Sequence, residues 1–302
     1  MNAPITEVDA MRRAIALSAR GVGTTSPNPP VGCVILDSAG RPVGEGYHLR
    51  KGEPHAEVHA LTAAGALASG GTAAVTLEPC NHHGRTPPCH QALIDAGVAR
   101  VLIAVMDPTS RGIGGAARLR HSGLAVEVGV LADEALVVLR PWLTALKTGR
   151  PSVTWACDIT DGYPRPMPDE VLAQGGLRYQ VDAVLYGDGR VEEGLAGGHG
   201  QGAVELPGFV PVTEPETALS TLYGAGARTV LLHCGADVAR PFAALRLVED
   251  VAMFLATTAP AASSSPSEHD LPLFSPFSIR SIRRLRAGVL VEGSTRSSIE
   301  AE

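Results

Sequence analysis

Near the N-terminus, Val8, Met11 and Ile15 recur at helical spacing, and Gly21 and Gly23 follow as stop signals. That pattern predicts a helix over residues 5–19. A Pro/Asn-rich loop, TTSPNPP, leads into the continuous apolar run VGCVIL at residues 31–36, which reads as a buried strand. A turn over residues 37–41 and a second strand over residues 43–47 make this a hairpin. Residues 55–68 are helical by composition, with Pro54 at the entry and Gly70-Gly71 as the stop. Next come a strand (AAVTL, 73–77), a helix entered through two prolines (CHQALIDAG, 89–97), a strand (RVLIAV, 100–105) and the loop MDPTSRGIGG (106–115). A short helix, the strand LAVEVGV (124–130) and the helix DEALVVLRPWLTALK (133–147) complete the first half. Alternating strands and helices imply a layered α/β domain. KTGRP, residues 147–151, reads as a linker. Beyond it the strands SVTWACDI, DAVLYG, RTVLLHCG, VAMFLAT and GVLVEG repeat the alternation. Residues 257–275 are low in complexity and read as a mobile loop.

The 302 residues fit two domains, at 1–148 and 149–302. A net charge of −6 lacks the basic footprint of a nucleic-acid binder, though a few local arginines suffice for a small phosphorylated substrate. Five cysteines make a poor disulfide framework and fit a reducing cytoplasm. The apolar run behind Arg12-Arg13 breaks at Ser18 and Arg20, too early for a signal peptide, and no window has the length of a membrane span.

The chemistry concentrates between His55 and Cys89. His55, Cys80 and Cys89 offer one nitrogen and two sulfurs, donor types that zinc prefers, and three protein ligands leave a fourth position open for water. Glu57 is not needed as a ligand and suits the general acid–base role. His-x-Glu, then Pro-Cys, then a second Cys is the order found in zinc deaminases of nucleobases. A closed structural site would need a fourth ligand. His59 shares a helix face with His55, but Ala56 stands where the zincin motif requires glutamate. His82, His83 and His90 crowd the cysteine loop as further donors in principle. Cys33, Cys157 and Cys234 fall in apolar strands, where core packing is the default.

TTSPNPPVGCVI, VGEGYHLRKGEPHAEVHAL, VTLEPCNHHGRTPPC, ALIDAGVARV and the Asp107-Pro108 loop together resemble the deaminase domain of the RibD/RibG riboflavin-pathway family. The resemblance covers residues 1–150. Its specificity lies in the long NHHGRTPP insertion between the two cysteines. It implies a cytidine-deaminase-like three-layer α/β/α domain followed by a dihydrofolate-reductase-like α/β domain. It also implies a bound Zn2+ and hydrolysis of the ring amino group of a ribosylaminopyrimidine 5′-phosphate. Asn28, His48, His82, Arg85 and Asp107 would contact that substrate, and a homodimer or higher oligomer would form. Taken singly, Asn28 reads as a turn residue and Asp107 as a loop cap.

The second half departs from the family. Ala156 or Cys157 stands in the place of a lysine, and no lysine follows Lys147. The segment after Asp161-Gly162 is short, a Gly-rich cofactor stretch reads GDGRV, and the Glu-Gly-Gly turn reads His233-Cys234-Gly235. The expectation is a single-activity zinc deaminase that does not bind NADPH. A bifunctional enzyme and a non-catalytic, zinc-stabilised partner protein are the alternatives.

Overall fold

The computed structural model describes residues 3–82, 87–109, 114–160, 162–256 and 274–295. Arg85 and most of the low-complexity stretch at 257–275 lie outside the described residues. The chain divides into two compact units, Met1–Arg140 and Pro141–Glu302.

The first unit is a five-stranded sheet between two helical layers. In chain order it comprises α1 (Glu7–Ser18), β1 (Gly32–Leu36), β2 (Pro42–Tyr47), α2 (Ala56–Ala64), β3 (Thr72–Leu77), α3 (Cys89–Asp95), β4 (Arg100–Val105), α4 (Gly115–His121) and β5 (Ala125–Val128). The sheet order is β2-β1-β3-β4-β5. β1 runs antiparallel to both β2 and β3, whereas β3, β4 and β5 are parallel. Strands buried on both faces read as unbroken apolar runs, which is why VGCVIL and RVLIAV were recognisable. Alternate residues feed two cores. Cys33, Ile35, Val75 and Ile103 pack with Ala56, Ala60, Leu93 and Leu119 from α2, α3 and α4. Val34, Leu36, Ala74 and Leu102 pack with Ala10, Met11 and Ala14 of α1.

α1 buries the face that carries Met11, with Ile15 packed beside it, but leaves Val8 outside. Ala10, Met11, Ala14 and Ser18 are buried, and Val8 is 41% exposed. Small residues win because the helix lies close on β1: a Cβ on Gly32 would come within 2.0 Å of the Ala14 carbonyl oxygen. Thr6 and Asp9 form a reciprocal capping box at the helix start.

α5 (Ala132–Thr148) spans the division between the units and contains Pro141, which cannot donate a backbone bond. Only residues 149–151 separate α5 from the next strand, so the linker is shorter than the KTGRP reading. The second unit contains β6 (Ser152–Thr160), β7 (Tyr163–Pro166), α6 (Asp169–Gly175), β8 (Ala183–Tyr186), β9 (Val191–Glu193), α7 (Pro215–Gly224), β10 (Thr229–His233), α8 (Ala236–Ala244), β11 (Asp250–Ala256), β12 (Phe277–Arg284) and β13 (Gly288–Thr295). Its sheet runs β12-β13-β11-β6-β10-β8-β9, with β7 paired to the far end of β6. β6 sends Val153, Trp155 and Cys157 into one core and Ala156 into the other. β7, β9 and β12 are strands that the hydrophobic pattern did not show. Cys33, Cys157 and Cys234 are buried free thiols.

Candidate metal centre

Three chain turns bring the candidate ligands together. His55 is the N-cap residue of α2, with an extended backbone and no side-chain capping bond, so its imidazole is not used by the helix. Cys80 lies just beyond β3. Cys89 is the first residue of α3, which Pro88 caps. α2 is held against β2 by Gly44 and Gly46. A Cβ on Gly44 would come within 2.1 Å of the Ala60 carbonyl oxygen, and one on Gly46 within 2.5 Å of that of Ala56. The same two glycines therefore fix the height of His55 above the sheet.

The donor atoms of His55, Cys80 and Cys89 lie within 4.8 Å of one another, and no other such group of three occurs among the described residues. His55 Nδ1 is 3.2 Å from Cys89 Sγ. Ligand atoms around tetrahedral zinc stand about 3.5 Å apart, given the usual Zn–N and Zn–S lengths. The set fits zinc in donor type and in spacing.

The electrostatics fit as well. The Cys89 backbone N–H donates to Cys80 Sγ at 3.3 Å. A hydrogen bond from the Cys89 thiol, opposed by burial and helped by His55, pulls the Cys80 thiol down to about 4. The proton that Cys89 gives to this bond keeps its own thiol well above the usual range. The amide at the start of α3 thus supports a thiolate at Cys80. Hydrogen bonding to Cys80 outweighs burial and lifts His55 to about 8. Glu57 is 3% exposed, and desolvation raises its carboxyl above the ordinary glutamate value.

Asn28 and His48 stand next to this group. The His48 ring lies edge-on to His55, with centroids 5.2 Å apart. Burial, then the nearby His55, lowers His48 to about 4, so its ring is neutral near pH 7. Its partners fix the tautomer: Nδ1–H donates to the Pro54 carbonyl at 3.2 Å, and Nε2 accepts from Asn28 Nδ2 at 3.1 Å. His82 is exposed. Asp107 is 9% exposed, and its carboxylate accepts the Thr109 N–H at 2.7 Å, the loop-cap arrangement. Neither His82 nor Asp107 is part of the three-donor group.

Two histidines resolve as supports. His90 Nδ1 is 3.1 Å from the Cys80 carbonyl oxygen. His59 faces β2, where a Cβ on Gly46 would meet its own at 2.6 Å. Sequence reasoning passed over Glu78. It is 3% exposed, and its Oε1 accepts the N–H groups of Gly114 and Ala116. An acidic residue directly after an apolar strand was the available signal.

Residues 5–105 match the cytidine and deoxycytidylate deaminase zinc-binding region. The chain is 54% identical over 144 residues to riboflavin biosynthesis protein RibD of Escherichia coli, covering 47% of this chain and 39% of that protein. It therefore spans well under two thirds of that relative's length. It is 46% identical to the diaminohydroxyphosphoribosylamino-pyrimidine deaminase of Buchnera aphidicola subsp. Schizaphis graminum, over 47% of this chain and 96% of that one. A diaminohydroxyphosphoribosylaminopyrimidine deaminase/5-amino-6-(5-phosphoribosylamino)uracil reductase from Thermotoga maritima superposes with a TM-score of 0.78 at 26% identity, covering 96% of this chain and 98% of that one. Near-complete coverage of a dedicated deaminase, together with a gathered His-Cys-Cys set, places this chain in the RibD family of riboflavin biosynthesis proteins.

Proposed function

We propose that this chain is a zinc-dependent hydrolase that deaminates a ribosylaminopyrimidine 5′-phosphate, 2,5-diamino-6-ribosylamino-4(3H)-pyrimidinone 5′-phosphate or a close relative. The observation that carries this reading is the convergence of His55, Cys80 and Cys89 within 4.8 Å beside the buried Glu57. His55, Cys80 and Cys89 would hold the zinc, which when bound supplies Lewis acidity that makes water nucleophilic near neutral pH. Glu57 takes one proton from water and passes it to a ring nitrogen, then takes the hydroxyl proton left on the ring carbon and passes it to the departing amine. The net change is water consumed, the exocyclic C–NH2 bond replaced by C=O, and ammonia released. A carboxyl raised by desolvation is a stronger base than an ordinary glutamate, which suits it to accept a proton and return it. Asn28 and His48 are assigned to substrate on the family resemblance, with His48 bonded to Asn28 and Pro54 through its two ring nitrogens. His82, Arg85 and Asp107 are assigned to substrate on the family resemblance, Arg85 toward phosphate.

The second unit is assigned no reductase activity and no NADPH. The lysine-free sequence after Lys147 supports this, as does the packing at the end of β10. His233 Nε2 hydrogen-bonds the Met167 carbonyl at 2.5 Å. A Cβ on Gly235 would stand 3.3 Å from the Pro164 carbonyl oxygen, so β7 lies over the start of α8. His233 and Gly235 thus spend themselves on protein contacts at the carboxyl end of β10, where ligands of open α/β sheets commonly bind. We assign the protein to the cytoplasm as a homo-oligomer, which sedimentation of the purified chain checks.

The test is direct. Zinc-loaded protein incubated with the pyrimidine ribotide should release ammonia stoichiometrically. Added NADPH should not be oxidised by the deaminated product. Ammonia release from no pyrimidine ribotide overturns the first assignment, and NADPH consumption overturns the second.

A further inference from the structure

Glu78 stands two residues before Cys80, and its contacts reach a different loop. Its backbone N–H donates to the Val105 carbonyl at 2.9 Å, at the end of β4. Its Oε1 accepts from Gly114 N–H at 3.1 Å and Ala116 N–H at 2.9 Å, at the start of α4. Val105 and Gly114 bracket the loop that carries Asp107. One residue thus grips both ends of that loop. The fit around it is tight: a Cβ on Gly115 would come within 1.8 Å of the Pro79 carbonyl oxygen, and one on Gly114 within 3.3 Å of the Asn81 side chain. Glu78 is 3% exposed, so water does not compete for these bonds. A buried carboxyl oxygen that accepts two main-chain donors at once defines a position rather than just filling space.

We infer that Glu78 is a positioning residue for the deamination, locking the Asp107 loop to the Cys80 metal loop so that substrate and metal ligand keep a fixed separation. This rests on the deaminase reading above, but its structural half can be measured without turnover. Small displacements of positioning groups cost rate and binding steeply, about ten- to a hundredfold for movements near 1 Å. What the geometry requires of Glu78 is an acceptor oxygen. Glutamine retains one and alanine does not.

The experiment uses the full-length, zinc-loaded chain and three variants, Glu78→Gln, Glu78→Ala and Gly115→Ala. Hydrogen exchange is read at the amides of Gly114 and Ala116, zinc content by elemental analysis, and kcat and KM on the pyrimidine ribotide. Glu78→Ala should speed exchange at both amides and raise KM about tenfold or more. Zinc content should stay stoichiometric, and kcat should fall less than KM rises. Glu78→Gln should restore protection and KM most of the way. Gly115→Ala leaves Glu78 in place but pushes α4 off Pro79, and it should reproduce the alanine phenotype. If Glu78→Ala does not fold, the glutamine and Gly115→Ala variants still decide the matter. Unchanged exchange in Glu78→Ala overturns the inference, as does a glutamine variant no better than alanine, or a Gly115→Ala variant with wild-type KM. Failure of the wild type to release ammonia would sink the deaminase reading, while the exchange measurements would still decide whether Glu78 locks the two loops.

Discussion

Glu57 is the residue on which the proposed chemistry turns, and its surroundings say why. It lies in the first turn of α2, two residues after His55, and is 3% exposed. Burial lifts its carboxyl, while the neighbouring imidazole works against that shift. Replacing it with glutamine removes proton transfer but keeps nearly the same volume. The expected outcome is a fall in kcat of about 10²–10⁴-fold, the usual worth of a positioned general acid–base group. Zinc content should not change, because Glu57 is not one of the three gathered donors. Ammonia release assayed beside elemental analysis checks both, and retained turnover would remove Glu57 from its role. The ligands should behave in the opposite way. Cys80→Ser replaces a sulfur already drawn toward thiolate with a hydroxyl that does not ionise near neutrality, so zinc should be lost first and activity with it. Dialysis against a mild chelator, followed by metal analysis, distinguishes the two variants.

At the scale of elements, the site depends on how closely α2 and β2 approach. Gly44 and Gly46 lie on the same face of β2, and α2 rests its carbonyl oxygens almost on their Cα atoms. Gly46→Ala forces a methyl group into contact with the Ala56 carbonyl oxygen and the His59 Cβ. Overpacking of this kind costs about 1–3 kcal/mol. The helix carries His55 as its N-cap residue, so the same change should weaken zinc retention. Denaturant unfolding and metal content should therefore fall together, and a destabilised variant that keeps full zinc affinity would separate α2 packing from ligand placement. Elements buried on both sides were legible in the sequence because burial itself writes the pattern, as in β1, β3, β4, β6 and β10. β7 carries Pro164 and Pro166, β9 has three residues, and β12 is an edge strand. In β12, Ile279 and Ile282 are 66% and 65% exposed, so its isoleucines do not report a core. The ligand set was legible for a local reason, since each ligand sits beside a helix start or a proline. Glu78 was not, because its partners lie 36 and 38 residues further along the chain, where spacing encodes nothing.

At the scale of the molecule, each compact unit contains its own polar cluster. In the first it is the donor set, and in the second it is His199. The His199 side chain is 1% exposed, and its two nitrogens meet two different carboxylates, Asp182 at 3.0 Å and Glu193 at 3.2 Å. Asp182 also accepts the N–H groups of Arg228 and Thr229 and the Thr229 hydroxyl, so it cannot turn to donate. Both ring nitrogens must therefore carry protons for both contacts to be hydrogen bonds, which makes the ring an imidazolium. Desolvation pulls the His199 pKa down, but Asp182 and Glu193 together leave it raised above its ordinary value of 6.5. A basic group raised in the folded state stabilises fully below its unfolded pKa and loses that contribution as pH climbs through the folded one. The stability of the second unit should accordingly decline as pH rises from about 6.5, by at most about 1.4 kcal/mol per pH unit for one proton. Trp155, wholly buried in that unit, supplies the fluorescence readout. His199→Gln can keep one of the two bonds but cannot titrate. It should lower stability at pH 6 and flatten the slope between pH 6.5 and 8. Equal slopes in variant and wild type would mean that His199 is not the group whose proton the folded second unit retains.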